Sequence, residues 1–363
     1  MGQRRRDIWA GVPPVKSRIL ICFNCKTKGW ALRQPDREGV VKALEKISKI
    51  VPPTPLLSAR IGDAACWLKA ESLQPMGAFK LRGAWHRLTA IPESQRARGV
   101  VAFSSGNHAQ GVAWAAARLG MPAAIVMPAD APAAKRANTA ALGGEVILYD
   151  RLTQSREQIA AELAEARGAV LVPSFDDPFV VEGQGSVGLE AAAQVAALGG
   201  GAIRRVVTCC GGGGLAAGLA LALPDAEIVT VEPEGWDDMA RSLAAGEIVG
   251  VGPNPPATAC DALQTFRVAP LTFGILSARG ARGVAVSEAE TGAAMRWAFE
   301  RLRLVLEPGG AVALAAMLSG RVAPEPGTLV MLSGGNVDPG LFARMARLDA
   351  ADADASQPGP EML

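Results

Sequence analysis

Short apolar runs alternate with alanine-rich segments of helical length from Val100 onward. Such runs predict buried strands, and an alanine-rich segment closed by glycine predicts a helix and its end. The predicted strands are Val100–Ser104, Ala123–Met127, Glu145–Tyr149 and Ala169–Val172, and the helices between them are Ala109–Leu119, Ala131–Leu142 and Ser155–Ala166. Strands that alternate with helices form βαβ units, which build a parallel sheet.

The alternation then restarts and predicts a second α/β unit. Its predicted helices are Glu182–Ala197, Gly214–Leu223, Glu288–Arg301 and Gly310–Leu318, and its strands are Arg205–Thr208, Ile228–Val231 and Thr328–Leu332. The first unit is compact enough to be an insertion in the second. We therefore expect a large domain of residues 36–98 and 177–345, a small domain of residues 99–176, and disordered extensions at 1–35 and 346–363.

Charge and composition favour a folded protein that does not bind nucleic acid. Hydrophobic residues make up 49% of the chain, which is enough for a core. The net charge is +2, but residues 1–35 hold eight Lys and Arg against one Asp, which leaves an acidic body. The six cysteines form no spaced framework, and no apolar run is long enough to span a membrane. We expect a cytoplasmic protein that binds no membrane.

Four consecutive glycines, Gly211–Gly214, follow one predicted strand and open a helix. This arrangement presents backbone N–H groups and the positive end of a helix to an anion, so it predicts a phosphate site. No Gly-Lys-Ser/Thr sequence follows, which excludes a nucleoside-triphosphate loop. A second motif, Gly183-x-Gly185-x-x-Gly188, has the dinucleotide pattern but no strand before it. Close packing of a helix is the better explanation for it, and a nicotinamide-dependent oxidoreductase is the alternative.

Two further segments carry candidate chemistry, one after the first predicted strand and one around Lys80. Ser104-Ser-Gly-Asn-His108 opens a helix, and its hydroxyls and N–H groups could hold a carboxylate. Lys80 lies between apolar residues, where a desolvated amine becomes nucleophilic. The chain has only His86 and His108, which excludes a histidine-rich zinc site.

Five segments in this order resemble the motifs of the fold type II pyridoxal-phosphate enzymes, in particular threonine/serine dehydratases and serine racemases. The segments are Gly77–Gly83, Ser104–Gln110, Gly211–Leu215, Glu307–Gly309 and Ser333–Asp338. The resemblance covers about Pro52 to Asp338. It implies a fold like that of the tryptophan synthase beta chain, with two α/β domains, mostly parallel sheets and the smaller domain inserted in the larger, and it implies a homodimer.

The resemblance also implies pyridoxal 5'-phosphate as cofactor and assigns roles to residues. Lys80 would hold the cofactor aldehyde as a Schiff base and then remove the α-proton of the substrate. The cofactor would further contact Phe79, Asn107, Gly211, Gly212, Gly213, Gly214, Leu215, Glu307 and Ser333. The substrate would contact Ser104, Ser105, Gly106, Asn107 and His108. Glu232, Asp238 and the carbonyl of Trp236 resemble a site for Mg²⁺ or Ca²⁺, for which a solvated acidic turn is the alternative.

The implied reaction is loss of water from a hydroxy amino acid to give a 2-oxo acid and ammonia. Ser333 would face the pyridine nitrogen, and a neutral hydroxyl there favours β-elimination over transamination. L-Threonine is the first predicted substrate and L-serine the second. Ser105 resembles the second base of serine racemases, so racemisation is an alternative. Arg156 resembles an arginine that reaches a second carboxylate, so 3-hydroxyaspartate is another, and a surface arginine is the simple explanation. A binding protein without activity is the remaining hypothesis.

Overall fold

The computed structural model describes residues 33–104, 106–131, 133–150 and 152–348. These residues contain ten strands, which are β1 Leu56–Ile61, β2 Ala64–Ala70, β3 Val100–Phe103, β4 Ala123–Pro128, β5 Glu145–Tyr149, β6 Val170–Leu171, β7 Arg205–Cys209, β8 Glu227–Pro233, β9 Arg282–Val286 and β10 Thr328–Leu332. The α-helices are α1 Arg37–Ile47, α2 Lys80–Thr89, α3 Glu93–Arg96, α4 Asn107–Arg118, α5 Ala133–Ala141, α6 Arg156–Arg167, α7 Pro178–Ala197, α8 Gly214–Ala222, α9 Asp238–Ala245, α10 Pro270–Ala278, α11 Glu288–Trp297, α12 Pro308–Leu318 and α13 Pro339–Met345.

The strands form two sheets. The larger sheet has the order β1-β2-β10-β7-β8-β9, and only the β1–β2 pair in it is antiparallel. The smaller sheet has the order β5-β4-β3-β6 and is wholly parallel. All four of its strands lie between β2 and β7 in the sequence, so the smaller α/β unit is inserted in the larger one. This confirms the predicted fold class, whereas the domain boundaries given above stay predictions.

The inner strands of the sheets, such as β4, β7, β8 and β10, are buried because they are apolar on both faces. The central strand β10 is completely buried, and α12 packs across it, β7 and β8. One face of the smaller sheet shares a core with α1, α2 and α4, and the other face packs on α6. The two units are therefore joined through α2, the helix that begins at Lys80.

Most predicted elements are confirmed to within two residues of their ends. Two helices differ by four residues, and the first is α7, which begins at Pro178 and not at Glu182. The carboxylate of Asp177 accepts hydrogen bonds from the N–H groups of Phe179 and Val180, and Pro178 occupies the first helical turn. Asp177 and Pro178 thus start this helix, four residues before the predicted start.

The predicted helix Glu288–Arg301 ends earlier, at Trp297, and continues as a π-helical turn over Ala298–Leu302. The periodicity of apolar residues does not distinguish the α-helix from the π-helical turn that follows it. Most of both predicted terminal extensions lies outside the described residues, as does Ser105. None of the described helices is both long and apolar enough to cross a membrane.

Candidate active site

Three neighbouring parallel strands of the larger sheet end beside one another. The order β2-β10-β7 places the segments after them at one edge. These segments lead to Lys80, Ser333 and Gly211 respectively. The carboxyl edge of a parallel sheet is where α/β proteins place their ligands, because loops and helix N-termini converge there. The strand order therefore brings together three motifs that are far apart in the sequence.

Lys80 begins α2, and its Nζ donates a hydrogen bond to the carbonyl oxygen of Ser174 at 3.0 Å. Burial lowers the pKa of this amine to about 8, although Cys209 and Glu307 act in the opposite direction. The positive end of the α2 dipole also disfavours an ammonium group at this position. The amine therefore loses its proton more easily near neutral pH than an ordinary lysine does, as a nucleophile or base requires.

Ser333 is buried directly after β10. Its carbonyl accepts from the N–H of Phe79 at 3.1 Å, which ties it to the residue before the lysine. The thiol of Cys209 lies 3.2 Å from its Oγ, and burial raises the pKa of this thiol, so the thiol keeps its proton and donates. The Ser333 hydroxyl is thus held next to Lys80 with its own hydrogen available for another group.

Asn107 and Glu307 form a second pair at this edge. The Nδ2 of Asn107 donates to Oε1 of Glu307 at 2.6 Å. Burial raises the pKa of Glu307 to about 7, and the bond from Asn107 opposes this rise. The N–H of Glu307 donates to the carbonyl of Gly334 at 3.0 Å, so the glutamate is anchored to the loop after Ser333.

The segment after β3 opens α4 toward the same region. Gly106 donates its N–H to the Oγ of Ser104 at 3.1 Å, and α4 has no side-chain cap at its N-terminus. The Nε2 of His108 donates to the carbonyl of Val172 at 2.9 Å, and burial lowers the pKa of this imidazole to about 3. The ring of His108 is therefore neutral and structural, which leaves its backbone N–H as the predicted contact.

Ser104 and Arg156 line one cavity of about 70 Å³ together with Tyr149, Asp261 and Gln264. Arg156 starts α6, forms an ion pair with Glu157 and has a side chain that is 43% exposed. The cavity contains residues from both α/β units, since Asp261 and Gln264 come from the larger one. A surface position alone does not explain this arginine, because it faces the same space as Ser104.

Close packing requires glycine in the loop Gly211–Gly214, in addition to any need to bind an anion there. A Cβ at Gly212 would lie 2.2 Å from the ring of Phe175, and Gly213 has φ +86°. Helix α8 begins here without a side-chain cap. Its first N–H groups lack intrahelical acceptors, as in every helix. The loop therefore needs glycine for packing, and its uncapped helix end supports the predicted phosphate site.

The motif Gly183-x-Gly185-x-x-Gly188 lies inside α7 and not at a helix start. A Cβ at Gly183 would lie 2.5 Å from Cα of Gly83, and one at Gly185 would lie 2.4 Å from the carbonyl oxygen of Gly218. The motif brings α7 into contact with α2 and α8. The packing interpretation is confirmed, and the main support for a dinucleotide site is lost.

The predicted cation site lies at the end of β8. Both oxygens of Glu232 accept N–H bonds from the start of α9, at 3.0 Å from Met239 and 2.8 Å from Ala240. Burial raises the pKa of Asp238 to about 7. Among the described residues, no group of three or more His, Cys, Asp or Glu side chains could hold a metal ion. A cation here would need the Trp236 carbonyl in addition to the two carboxylates.

Sequence reasoning missed several residues at this edge. Ser174 and Phe175 contact Lys80 and Gly212 from the loop before α7, and no pattern distinguishes that loop in the sequence. Asn336 bonds to Asn107, although the sequence marks it only as part of the Ser333 motif. The only sequence feature that could have indicated Asn336 is its position directly after Gly334 and Gly335.

The fold and the site define a class, the two-unit α/β proteins of fold type II. The sequence profile of the family described as pyridoxal-phosphate dependent enzymes matches residues 47–334, so the chain belongs to this family.

Similar proteins with known names support this family assignment. An L-threo-3-hydroxyaspartate ammonia-lyase of Pseudomonas sp is 41% identical over 85% of this chain and 97% of its own. A threonine deaminase of T.th., known from its crystal structure, is 42% identical, covers 84% of this chain and 99% of its own, and has a TM-score of 0.76. Maize serine racemase is 34% identical, covers 87% and 98%, and has a TM-score of 0.79.

The residues present fit the cofactor that this family uses. An aldehyde needs an amine with a lowered pKa, and Lys80 has one. A phosphate needs free N–H groups at a helix end, and α8 is uncapped. A pyridine nitrogen needs a donor, and the hydroxyl of Ser333 has its hydrogen available. All three groups lie at the carboxyl edge of one sheet.

Proposed function

We propose that this protein is a pyridoxal-phosphate-dependent ammonia-lyase that removes water from a β-hydroxy amino acid and releases a 2-oxo acid and ammonia. The observation that carries the proposal is the juxtaposition of Lys80, with its lowered pKa, and the neutral hydroxyl of Ser333. When bound, the cofactor supplies an electron sink for the Cα carbanion. Because Ser333 is not a carboxylate, this sink stays weak and loss of the β-hydroxyl is favoured.

The side chains divide the work. Lys80 would hold the cofactor and carry a proton from the substrate Cα, which its pKa of about 8 permits. Ser104 and the first N–H groups of α4 would hold the α-carboxylate, as an uncapped helix N-terminus favours an anion. Glycines 211 to 214 would hold the phosphate. Asn107 would contact the ring 3-oxygen from its position against Glu307.

Reduction with borohydride followed by peptide mapping tests the cofactor site. We expect the purified protein to absorb in the visible region. Reduction should fix the cofactor to one side chain as a label, and peptide mapping should find this label on Lys80. The Lys80→Ala variant should lose both the label and the release of 2-oxo acid. A label elsewhere, or equal activity of the two proteins, would contradict the proposal and favour a binding protein.

For the substrate, the cavity gives reason to add 3-hydroxyaspartate to threonine and serine as a leading candidate. Arg156 lines the same space as Ser104, so a substrate held by its α-carboxylate at Ser104 could place a second carboxylate near the guanidinium. The relative from Pseudomonas named above acts on that compound. Threonine and serine have no second carboxylate and need no cation there.

A substrate panel separates these alternatives. If the dicarboxylate is preferred, Arg156→Gln should lower kcat/KM for 3-hydroxyaspartate about tenfold to a hundredfold and change that for threonine less than about threefold. Measuring both enantiomers of serine tests racemisation, for which the predicted base Ser105 lies outside the described residues. An equal loss on all substrates would exclude a specific role for Arg156.

We also propose that Glu232, Asp238 and the carbonyl of Trp236 bind a divalent cation such as Mg²⁺ or Ca²⁺. Two buried carboxylates so close together are costly unless a cation or proton neutralises them. Added cation should raise the melting temperature of the wild type and have no such effect on Asp238→Asn. Equal shifts in both proteins would exclude this site.

A further inference from the structure

A chain of side-chain amides runs from the loop before α2 to Glu307. The Nδ2 of Asn336 donates to the carbonyl of Met76 at 2.7 Å and to Oδ1 of Asn107 at 2.8 Å. The Nδ2 of Asn107 then donates to Oε1 of Glu307 at 2.6 Å. Three short contacts therefore connect a backbone carbonyl, two amides and one carboxylate.

The direction of this chain is determined at its Met76 end. A backbone carbonyl can only accept, so Asn336 must present its NH₂ group to it. The same NH₂ group faces Asn107, which must therefore present its oxygen. The NH₂ group of Asn107 is then on the opposite side, toward Glu307. Turning the Asn107 amide over would place two NH₂ groups against each other.

Glycines enclose the chain at both ends. A Cβ at Gly77 would lie 2.2 Å from Oδ1 of Asn336, and one at Gly334 would lie 2.0 Å from Oε1 of Glu307. Asn107 itself is buried. Backbone in close contact leaves these side chains little room to rotate, so the direction set at Met76 is passed to Asn107.

We infer that Asn336 is a positioning residue that fixes the Asn107 amide with its donor, and not its acceptor, toward the cofactor ring. This inference rests on the proposed function, because it requires the cofactor to be held at Lys80 with its 3-oxygen at Asn107. A donor there stabilises the ring oxygen without its proton. An acceptor there would favour the protonated oxygen instead.

The Asn336→Asp variant tests this with almost no change of shape. The new carboxyl group has no hydrogen for Asn107, whether it is ionised or keeps one proton for the Met76 carbonyl. Asn107 should therefore turn over, give its NH₂ group to position 336 and present its oxygen to the ring. The ratio of the long-wavelength to the short-wavelength absorption band of the bound cofactor should fall about tenfold, since a hydrogen bond to a charged group is exchanged for repulsion. Asn138→Asp, on the exposed face of α5, is the matched control and should keep the wild-type ratio.

A double variant separates orientation from stability. In Asn336→Asp/Glu307→Gln, the new glutamine can donate to the reversed Asn107, so a hydrogen-bonded chain forms in the opposite direction. Its melting temperature should recover toward that of the wild type while its band ratio stays low. If the Asn336→Asp variant does not fold, the band ratio of the double variant tests the inference instead. Recovery of both quantities would mean that Asn336 acts through stability only, and the inference would be wrong.

The two proposals fail differently. If the wild type shows no visible band and no label on Lys80, the proposed function is wrong. If the wild type is labelled on Lys80 but the Asn336→Asp variant, at equal cofactor occupancy, has the same band ratio, only the role of Asn336 is overturned.

Discussion

Lys80 combines a chemical advantage with a cost to folding. Lys80 is partly buried, and the desolvation of its amine lowers the pKa from 10.5 to about 8. A group that is harder to protonate in the folded state weakens folding wherever the unfolded chain holds the proton. The residue that the proposed chemistry needs is therefore one that the fold alone would not favour.

Replacing Lys80 with Met should stabilise the cofactor-free protein by roughly 1 to 3 kcal/mol at pH 7, since the apolar side chain needs no desolvation of charge. The unfolded lysine binds more protons between pH 8 and 10.5, so wild-type stability rises with pH across that window. The gain from Lys80→Met should therefore be constant below pH 8 and vanish above 10.5. Urea unfolding at several pH values measures it, and Lys49→Met, an exposed position, is the control. A less stable Lys80→Met protein would contradict the argument.

Glu307 should give the opposite pH dependence. Its pKa is raised from 4.5 to about 7 by burial, so the folded protein binds more protons than the unfolded chain between these values. Wild-type stability is therefore favoured at low pH and lost as pH rises toward 7.

Glu307→Gln should remove this loss, so that its stability relative to the wild type grows by roughly 1 to 3 kcal/mol between pH 4.5 and 7. Denaturant unfolding of the cofactor-free proteins gives this difference directly. Glu93→Gln, at an exposed position of α3, should show no such trend. A constant difference across the range would show that Glu307 does not titrate there.

At the level of elements, α7 illustrates how a motif can mislead. Its three spaced glycines match a nucleotide-binding pattern, yet they serve contact between helices. The helix is almost uniformly buried over its first half and lies between α2 and α8. Without side chains at the crossing points, the helix backbones approach one another directly.

Gly185→Ala should destabilise the protein by about 1 to 3 kcal/mol, because the added methyl meets backbone that cannot move aside. Gly274→Ala in α10 is the matched substitution, since no heavy atom lies within 4 Å of its added Cβ. There alanine lowers the conformational entropy of the unfolded chain, which should stabilise the protein by about 0.5 to 1 kcal/mol. Thermal or urea unfolding measures both, and equal effects would exclude the packing role.

At the level of the whole molecule, a buried ion cluster joins β2, α2 and α7. The guanidinium of Arg82 donates to Glu71 at 2.7 Å and to Glu190 at 2.9 Å, and Lys69 donates to Glu190 at 2.6 Å. Arg82, Lys69 and Glu71 are completely buried. Two positive and two negative charges balance in this cluster, and Arg82 lies two residues after Lys80.

Arg82→Met should cost about 3 to 5 kcal/mol, because it leaves two buried carboxylates with one cation. Arg296→Met removes a partly exposed pair with Glu300 and should cost less than about 1 kcal/mol. Urea unfolding compares them. Similar costs would mean that water reaches the cluster and screens its charges.

Much of the fold follows from local pattern. All four strands of the smaller sheet and the three helices between them in sequence, α4, α5 and α6, agree with the predicted bounds to within two residues, because apolar runs and glycine stops act over a few neighbours. The predicted α7 starts at Glu182, whereas the hydrogen bonds to the Asp177 carboxylate, which the sequence pattern does not reveal, start the helix at Pro178. The π-helical turn after Trp297 covers only five residues, which is too short for its period to show in the sequence.

The sequence by itself determined the order of the motifs, the lysine between apolar neighbours and the glycine loop after a strand. The tertiary structure decided which of these residues meet, since the β2-β10-β7 order places Lys80 beside Ser333. It alone showed that Asn336 bonds to Asn107 and that Arg156 shares a cavity with Ser104. Local pattern reflects the energy of neighbouring residues, whereas these contacts join segments tens to hundreds of residues apart and exist only once both sheets are packed.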